Sequence, residues 1–74
     1  MNIQTASRLS GISAKAILRF ELMGLVRPNH MKNGLRLYSR RDTEKLKFLK
    51  QAYRAGFSVE ECRNLLSLYF RGHH

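Results

Sequence analysis

Leu9-Ser10-Gly11-Ile12-Ser13-Ala14-Lys15-Ala16-Ile17 decides how this chain of 74 residues is read. Upstream of it Ile3, Ala6 and Leu9 recur every third position, the spacing of one face of a short helix. Glycine tolerates the left-handed backbone common just past a helix end, so Ser10-Gly11 predicts a stop there. Ile12 packs the turn. Ser13 is placed to cap a second helix by accepting a backbone N–H two or three residues on, with Ala16, Ile17 and Phe20 as its inward stripe and Gly24 as its end. Two short helices joined by a glycine-containing turn, the second opening at a serine, form the plan of a helix-turn-helix.

Downstream the period changes. Leu25-Val26-Arg27 precedes Pro28, residues 29–34 are turn-like, and Leu35-Arg36-Leu37-Tyr38 alternates as a strand does. Proline cannot donate to a ladder, so the first strand is expected to end before Pro28. Asn33-Gly34 favours positive φ, and the connection is expected to be a basic loop longer than two residues. Arg36 and Tyr38 would then share the outer face of a small wing, away from Leu35 and Leu37. Ser39-Arg40-Arg41-Asp42 resembles a capping box with Asp in place of Glu, opening a helix whose apolar face is Leu46, Leu49, Ala52 and Tyr53 and which Gly56 closes. Ser58-Val59-Glu60-Glu61 is a full capping box, with Phe57 and Cys62 placed as a hydrophobic staple. The stripe Val59, Cys62, Leu65, Leu66 and Tyr69 gives a fourth helix, expected to fray near Arg71-Gly72. The expected fold is mainly α: a winged helix-turn-helix of four helices with a two-stranded antiparallel wing. It occupies residues 1–74 as one domain, with the helix-turn-helix at 3–24, the wing at 25–38 and a second helix pair at 40–70.

A chain of this size builds only a small core, but 43% hydrophobic residues are enough for one. The single cysteine, Cys62, closes no internal disulfide and is read as a small core residue. His30, His73 and His74 have no metal-site spacing, so neither metal nor cofactor is expected. No apolar run approaches the roughly 18 residues of a membrane span and the first residues lack the build of a signal peptide, which makes cytoplasm the expected address. Catalysis finds no support: there is no Ser/His/Asp set, no paired carboxylates and no phosphate-cradling glycine loop, and the chain is read as a non-enzyme.

Charge points to the partner. The net charge is +9, and residues 1–41 hold eight basic residues against Glu21 alone. Polyanions are the natural ligand of such a surface, because neutralised phosphates release condensed counterions. The second helix of a helix-turn-helix meets the major groove with its N-terminal part, which here is Ser13, Ala14 and Lys15, with Arg19 one turn on. The wing adds Lys32, Asn33, Arg36 and Tyr38, suited to phosphate or minor groove, and Arg40 and Arg41 extend the strip. Double-stranded DNA is therefore the expected partner, with no membrane.

Five stretches carry a resemblance: Met1-Asn2-Ile3, Leu9 to Ile17 as quoted above, Gly24-Leu25-Val26, Asn33-Gly34-Leu35-Arg36-Leu37-Tyr38-Ser39, and Ala55-Gly56-Phe57-Ser58-Val59-Glu60-Glu61. Together they resemble the MerR family of bacterial transcription regulators over nearly the whole chain, most closely its copper-efflux regulators. The resemblance implies that Lys15 contacts the major groove, that Arg36 and Tyr38 contact the DNA backbone beside the wing, and that RNA polymerase is a further partner in a full-length context. Leu18-Arg19-Phe20-Glu21 departs from the family's usual Arg-[Phe/Tyr]-Tyr-Glu, which implies weaker binding than is typical. The family continues into a long dimer-forming helix and an effector loop with metal-binding cysteines, both absent here, so neither dimerisation nor sensing carries over. The reading is a sequence-specific DNA-binding module of a MerR-type regulator. Its rivals are a standalone architectural or excisionase-like DNA-binding protein without an effector and, on account of Leu18 and Phe20, a protein-interaction domain that lost DNA binding.

Overall fold

The first helix, α1 (Ile3–Ser10), begins where the Asn2 side chain accepts the Thr5 N–H at 2.9 Å and ends at Gly11, whose φ of 75° is left-handed. The computed structural model describes the backbone of residues 1–28, 30–32 and 34–70, and the side chains of all of these except 30–32. Ile12 is buried in the turn, and Ser13 caps α2 (Ala14–Leu22) by accepting the Ala16 N–H at 3.1 Å, as its position predicts. Within α1 the inward stripe differs from expectation, for Leu9 is 50% exposed and Ser10 is buried instead. At about 100° per residue a spacing of three drifts, and Leu9 has turned about 120° away from Ile3 whereas Ser10 returns to its side.

The expected first strand is corrected. Leu25 and Val26 are both buried in the link after α2, so consecutive side chains enter the core where a strand would alternate them. β1 (His30–Lys32) lies beyond Pro28 and pairs antiparallel with β2 (Leu35–Leu37), in the register His30 with Leu37, Met31 with Arg36 and Lys32 with Leu35. Only positions 33 and 34 therefore separate the paired residues, a shorter connection than expected; Gly34 has φ 77°, and Asn33 lies outside the described residues. The far end of the ribbon is tied down by Met1 and Tyr38, whose backbones exchange two hydrogen bonds of 2.7 Å.

Helix α3 (Arg40–Arg54) opens on the Ser39 and Asp42 capping box with both reciprocal bonds formed. Helix α4 (Val59–Phe70) opens on the second box, where Ser58 N–H donates to Glu61 at 2.9 Å and Glu61 N–H to Ser58 Oγ at 3.1 Å. The expected fraying at Arg71-Gly72 falls outside the described residues. Leu46, Leu49 and Ala52 of α3 and Cys62 and Leu66 of α4 are buried with Ala6, Ile17 and Phe20 of the first pair in one core. Each fully buried aliphatic side chain stabilises by about 1.5–3 kcal/mol. Tyr53 and Tyr69, expected on the inner faces, sit at the margins, Tyr53 edge-on to Phe20 and Tyr69 against Phe48. Polar clasps join the two pairs: Lys50 donates to the Gly11 carbonyl at 3.1 Å and Arg63 to the Met23 carbonyl at 2.6 Å. No helix among the described residues is long and apolar enough to cross a membrane.

Candidate nucleic-acid interface

Since Ala16, Ile17 and Phe20 turn α2 inward, its opposite arc faces solvent. Successive residues advance by about 100°, which puts Ala14, Lys15, Leu18, Arg19 and Leu22 on that arc. Lys15, Leu18, Arg19 and Leu22 are exposed and Ala14 is half-buried. Ser13 stands at the head of the arc, its hydroxyl oxygen already engaged as the helix cap. The sequence-predicted set on α2 thus forms one surface, shared with two leucines. Phe20 lies in the core, so its missing hydroxyl removes nothing from that surface. Leu18, where the family usually has arginine, lines a groove with Leu35 and Arg36 of β2.

The ribbon is turned over relative to expectation. Leu35 is 66% exposed, whereas Tyr38, expected on the outer face with Arg36, is 2% exposed and part of the core. Arg36 and Tyr38 do lie on one side, as alternation requires, but that side faces the end of α2. There Arg36 Nε donates to Glu21 Oε1 at 2.7 Å and the Tyr38 hydroxyl donates to Glu21 Oε2. The reason is chemical: a carboxylate presents two acceptor oxygens, of which one satisfies the buried Tyr38 hydroxyl that would otherwise lack a partner, and the other attracts the half-exposed Arg36 guanidinium. Burial first, and then the bond to Glu21, raise the Tyr38 phenol above its ordinary value of 10.0. It therefore stays a donor at neutral pH. The Arg36 side chain remains 45% exposed, while that of Glu21 is 11% exposed.

Arg40 is exposed at the start of α3. Arg41 does not extend the strip, because its guanidinium donates to the Phe70 carbonyl and lies 5.3 Å from the centroid of the Phe70 ring, at the end of α4. The Lys32 side chain and Asn33 lie outside the described residues. Sequence reasoning missed Glu21 as the organiser of this surface. Its one visible signal was its isolation as the sole acid among the first 41 residues. Cys62 is buried, as expected of a core residue, and among the described residues no cluster of three or more His, Cys, Asp or Glu is placed to hold a metal ion.

A family model described as MerR HTH family regulatory protein matches residues 1–68. The chain is 51% identical over 69 residues to the HTH-type transcriptional regulator HmrR of Rhizobium leguminosarum bv. viciae, covering 93% of this chain and 54% of that protein. It is 39% identical over 70 residues to the HTH-type transcriptional regulator CueR of Salmonella typhi, covering 93% of this chain and 51% of that one. The chain thus spans about half the length of these relatives. Among solved structures, a putative MerR family transcriptional regulator from Listeria monocytogenes superposes with a TM-score of 0.81 at 37% identity, over 100% of this chain and 57% of the other. The regulator PbrR691 of Ralstonia metallidurans CH34, solved with lead(II), shares the fold at a TM-score of 0.86 and 23% identity, over 100% of this chain and 58% of the other. With its capped α2, the ribbon beside it and a match running from the first residue to within α4, the chain belongs to the MerR family of helix-turn-helix regulatory proteins.

Proposed function

We propose that this chain binds double-stranded DNA sequence-specifically as the DNA-binding module of a transcription regulator. The observation that carries the reading is the outward arc of α2, bearing Lys15 and Arg19, with the Arg36 ribbon tied to the same helix through Glu21. In this reading residues 3–24 act as the helix-turn-helix, the ribbon within 25–38 acts as a wing, and the helix pair at 40–70 supports both from behind. The head of α2 at Ser13, Ala14 and Lys15 enters the major groove, where short and basic side chains reach base edges and phosphates. Arg19, Arg36 and Arg40 take phosphates, with Lys32 and Asn33 as further candidates for the same role. Tyr38 supports the surface from within rather than touching DNA. In a chain of the relatives' length the same module would act in the cytoplasm on a promoter, as one half of a dimer and with RNA polymerase as a further partner.

The test is selection of duplexes from a randomised library, followed by fluorescence-anisotropy titration of the selected and the mixed-sequence DNA at several salt concentrations. The expected result is a preferred sequence whose affinity falls with salt. Lys15→Ala lowers that affinity about tenfold and relaxes the preference, while Arg36→Ala weakens both DNAs alike. Salt-dependent binding with no preferred sequence would support the architectural rival. Absence of salt-dependent binding would leave the protein-interaction reading.

A further inference from the structure

Glu21 is out of place by charge. A carboxylate on a surface meant for phosphates repels them, and nothing about helix stability calls for an acid in the last turn of α2, where the backbone dipole favours cations. Its bond to Arg36 contributes only modestly to stability, because the Arg36 side chain is 45% exposed and water competes for it, although that of Glu21 is 11% exposed. Its geometry, however, is fully specified. One oxygen accepts the hydroxyl of buried Tyr38 and the other accepts Arg36 Nε at 2.7 Å, so the carboxylate is fixed from the core side and grips the guanidinium by its inner nitrogen. A guanidinium carries five N–H donors, and with the Nε donor engaged the two terminal nitrogens keep the other four, the pair that binds a phosphate in fork geometry.

We propose that Glu21 is a positioning residue for duplex binding: held by Tyr38, its carboxylate presets the Arg36 guanidinium as a phosphate fork at the ribbon. The inference rests on the DNA-binding reading above and adds a direction that charge alone reverses. If Glu21 acted only as a charge, replacing it with glutamine would remove repulsion and tighten binding. If it positions Arg36, the same replacement weakens binding, because a long side chain must then be ordered at the interface when DNA arrives.

The test uses anisotropy with a labelled mixed-sequence duplex of about 30 base pairs, roughly three helical turns. Glu21→Gln and Tyr38→Phe are each expected to lower affinity about two- to tenfold, the cost of immobilising one such side chain. In an Arg36→Ala background Glu21→Gln is expected to have no further effect, since the two residues act as one unit. Tyr38→Phe keeps the ring in the core and so carries the test if Glu21→Gln fails to fold. Tighter or unchanged binding by Glu21→Gln, or an equal loss with and without Arg36, overturns the inference. Lys15→Ala run alongside separates the two claims: loss there with no loss at Glu21 sinks only the positioning role. In the DNA-free protein, NMR should show the Arg36 Nε–H protected from exchange in the wild type and unprotected in Glu21→Ala, which removes the acceptor oxygen that glutamine would keep. Equal exchange in both overturns the positioning role even if the wild type fails to bind DNA.

Discussion

The ribbon and the rear helix pair are held to the same body by opposite means. Between them α3 and α4 bury Leu46, Leu49, Ala52, Cys62 and Leu66, and their hold on the first pair is mostly apolar area. The ribbon has three residues per strand, exposes Leu35, and is fixed by directional bonds from Arg36 and Tyr38 to Glu21 and by the Met1 and Tyr38 backbone pair. Burial is non-directional and supplies stability, whereas hydrogen bonds supply little net energy but fix angles. The part that must stay hidden is therefore secured by area, and the part proposed to meet DNA by geometry.

The largest test of that contrast is Leu46→Ala in α3. It should cost about 2–5 kcal/mol by urea denaturation, a large share of the roughly 5–15 kcal/mol that holds a folded domain together. A loss below 1 kcal/mol would show that burial does not carry the rear pair. Cutting the joint between the two regions comes next, since Ser39→Ala removes the cap where the ribbon leads into α3 and should cost about 1 kcal/mol. Arg36→Ala should change stability by about 1 kcal/mol or less, because only the half-exposed partner is lost and Tyr38 still holds the Glu21 carboxylate, while lowering DNA affinity. A large loss of stability with unaltered affinity would reverse the roles assigned to the two regions.

The effect confined to alkaline solution is a pH dependence. Because Tyr38 is raised above 10.0 in the fold by burial and by its bond to Glu21, the folded chain holds that proton more tightly than the unfolded chain does. The resulting stabilisation is present in full below pH about 10 and is lost as the pH rises beyond it. Urea melts between pH about 9 and about 11 should fall more steeply for the wild type than for Tyr38→Phe. Parallel slopes would mean that the phenol is neither buried nor bonded to the carboxylate as described.

The four helices were legible because their signals are local. Ser13, Ser39 and Ser58 each sit within three residues of the group they cap, and Gly11 and Gly24 follow the helices they close. Leu9 misled because a repeat of three only approximates a helical turn. The ribbon was harder: Leu25 and Val26 have the composition of a strand, yet the core takes both, and no local rule says so. Alternation correctly paired Arg36 with Tyr38 but could not say which side of the ribbon meets the body. That choice depends on Glu21, 15 residues from Arg36 and 17 from Tyr38, and sequence spacing does not encode a partner at that range.

The two clasps from the rear pair bear on any attempt to move the front half elsewhere. The trailing carbonyl ends of helices carry roughly half a negative charge, and here a lysine amine meets one such exit, at Gly11, while an arginine meets the other, at Met23. A graft of residues 3–38 onto a foreign scaffold that copied only the greasy contact surface would leave both exits electrically open. Successful transplantation calls for two cations at those two points as well as a matching hydrophobic seat.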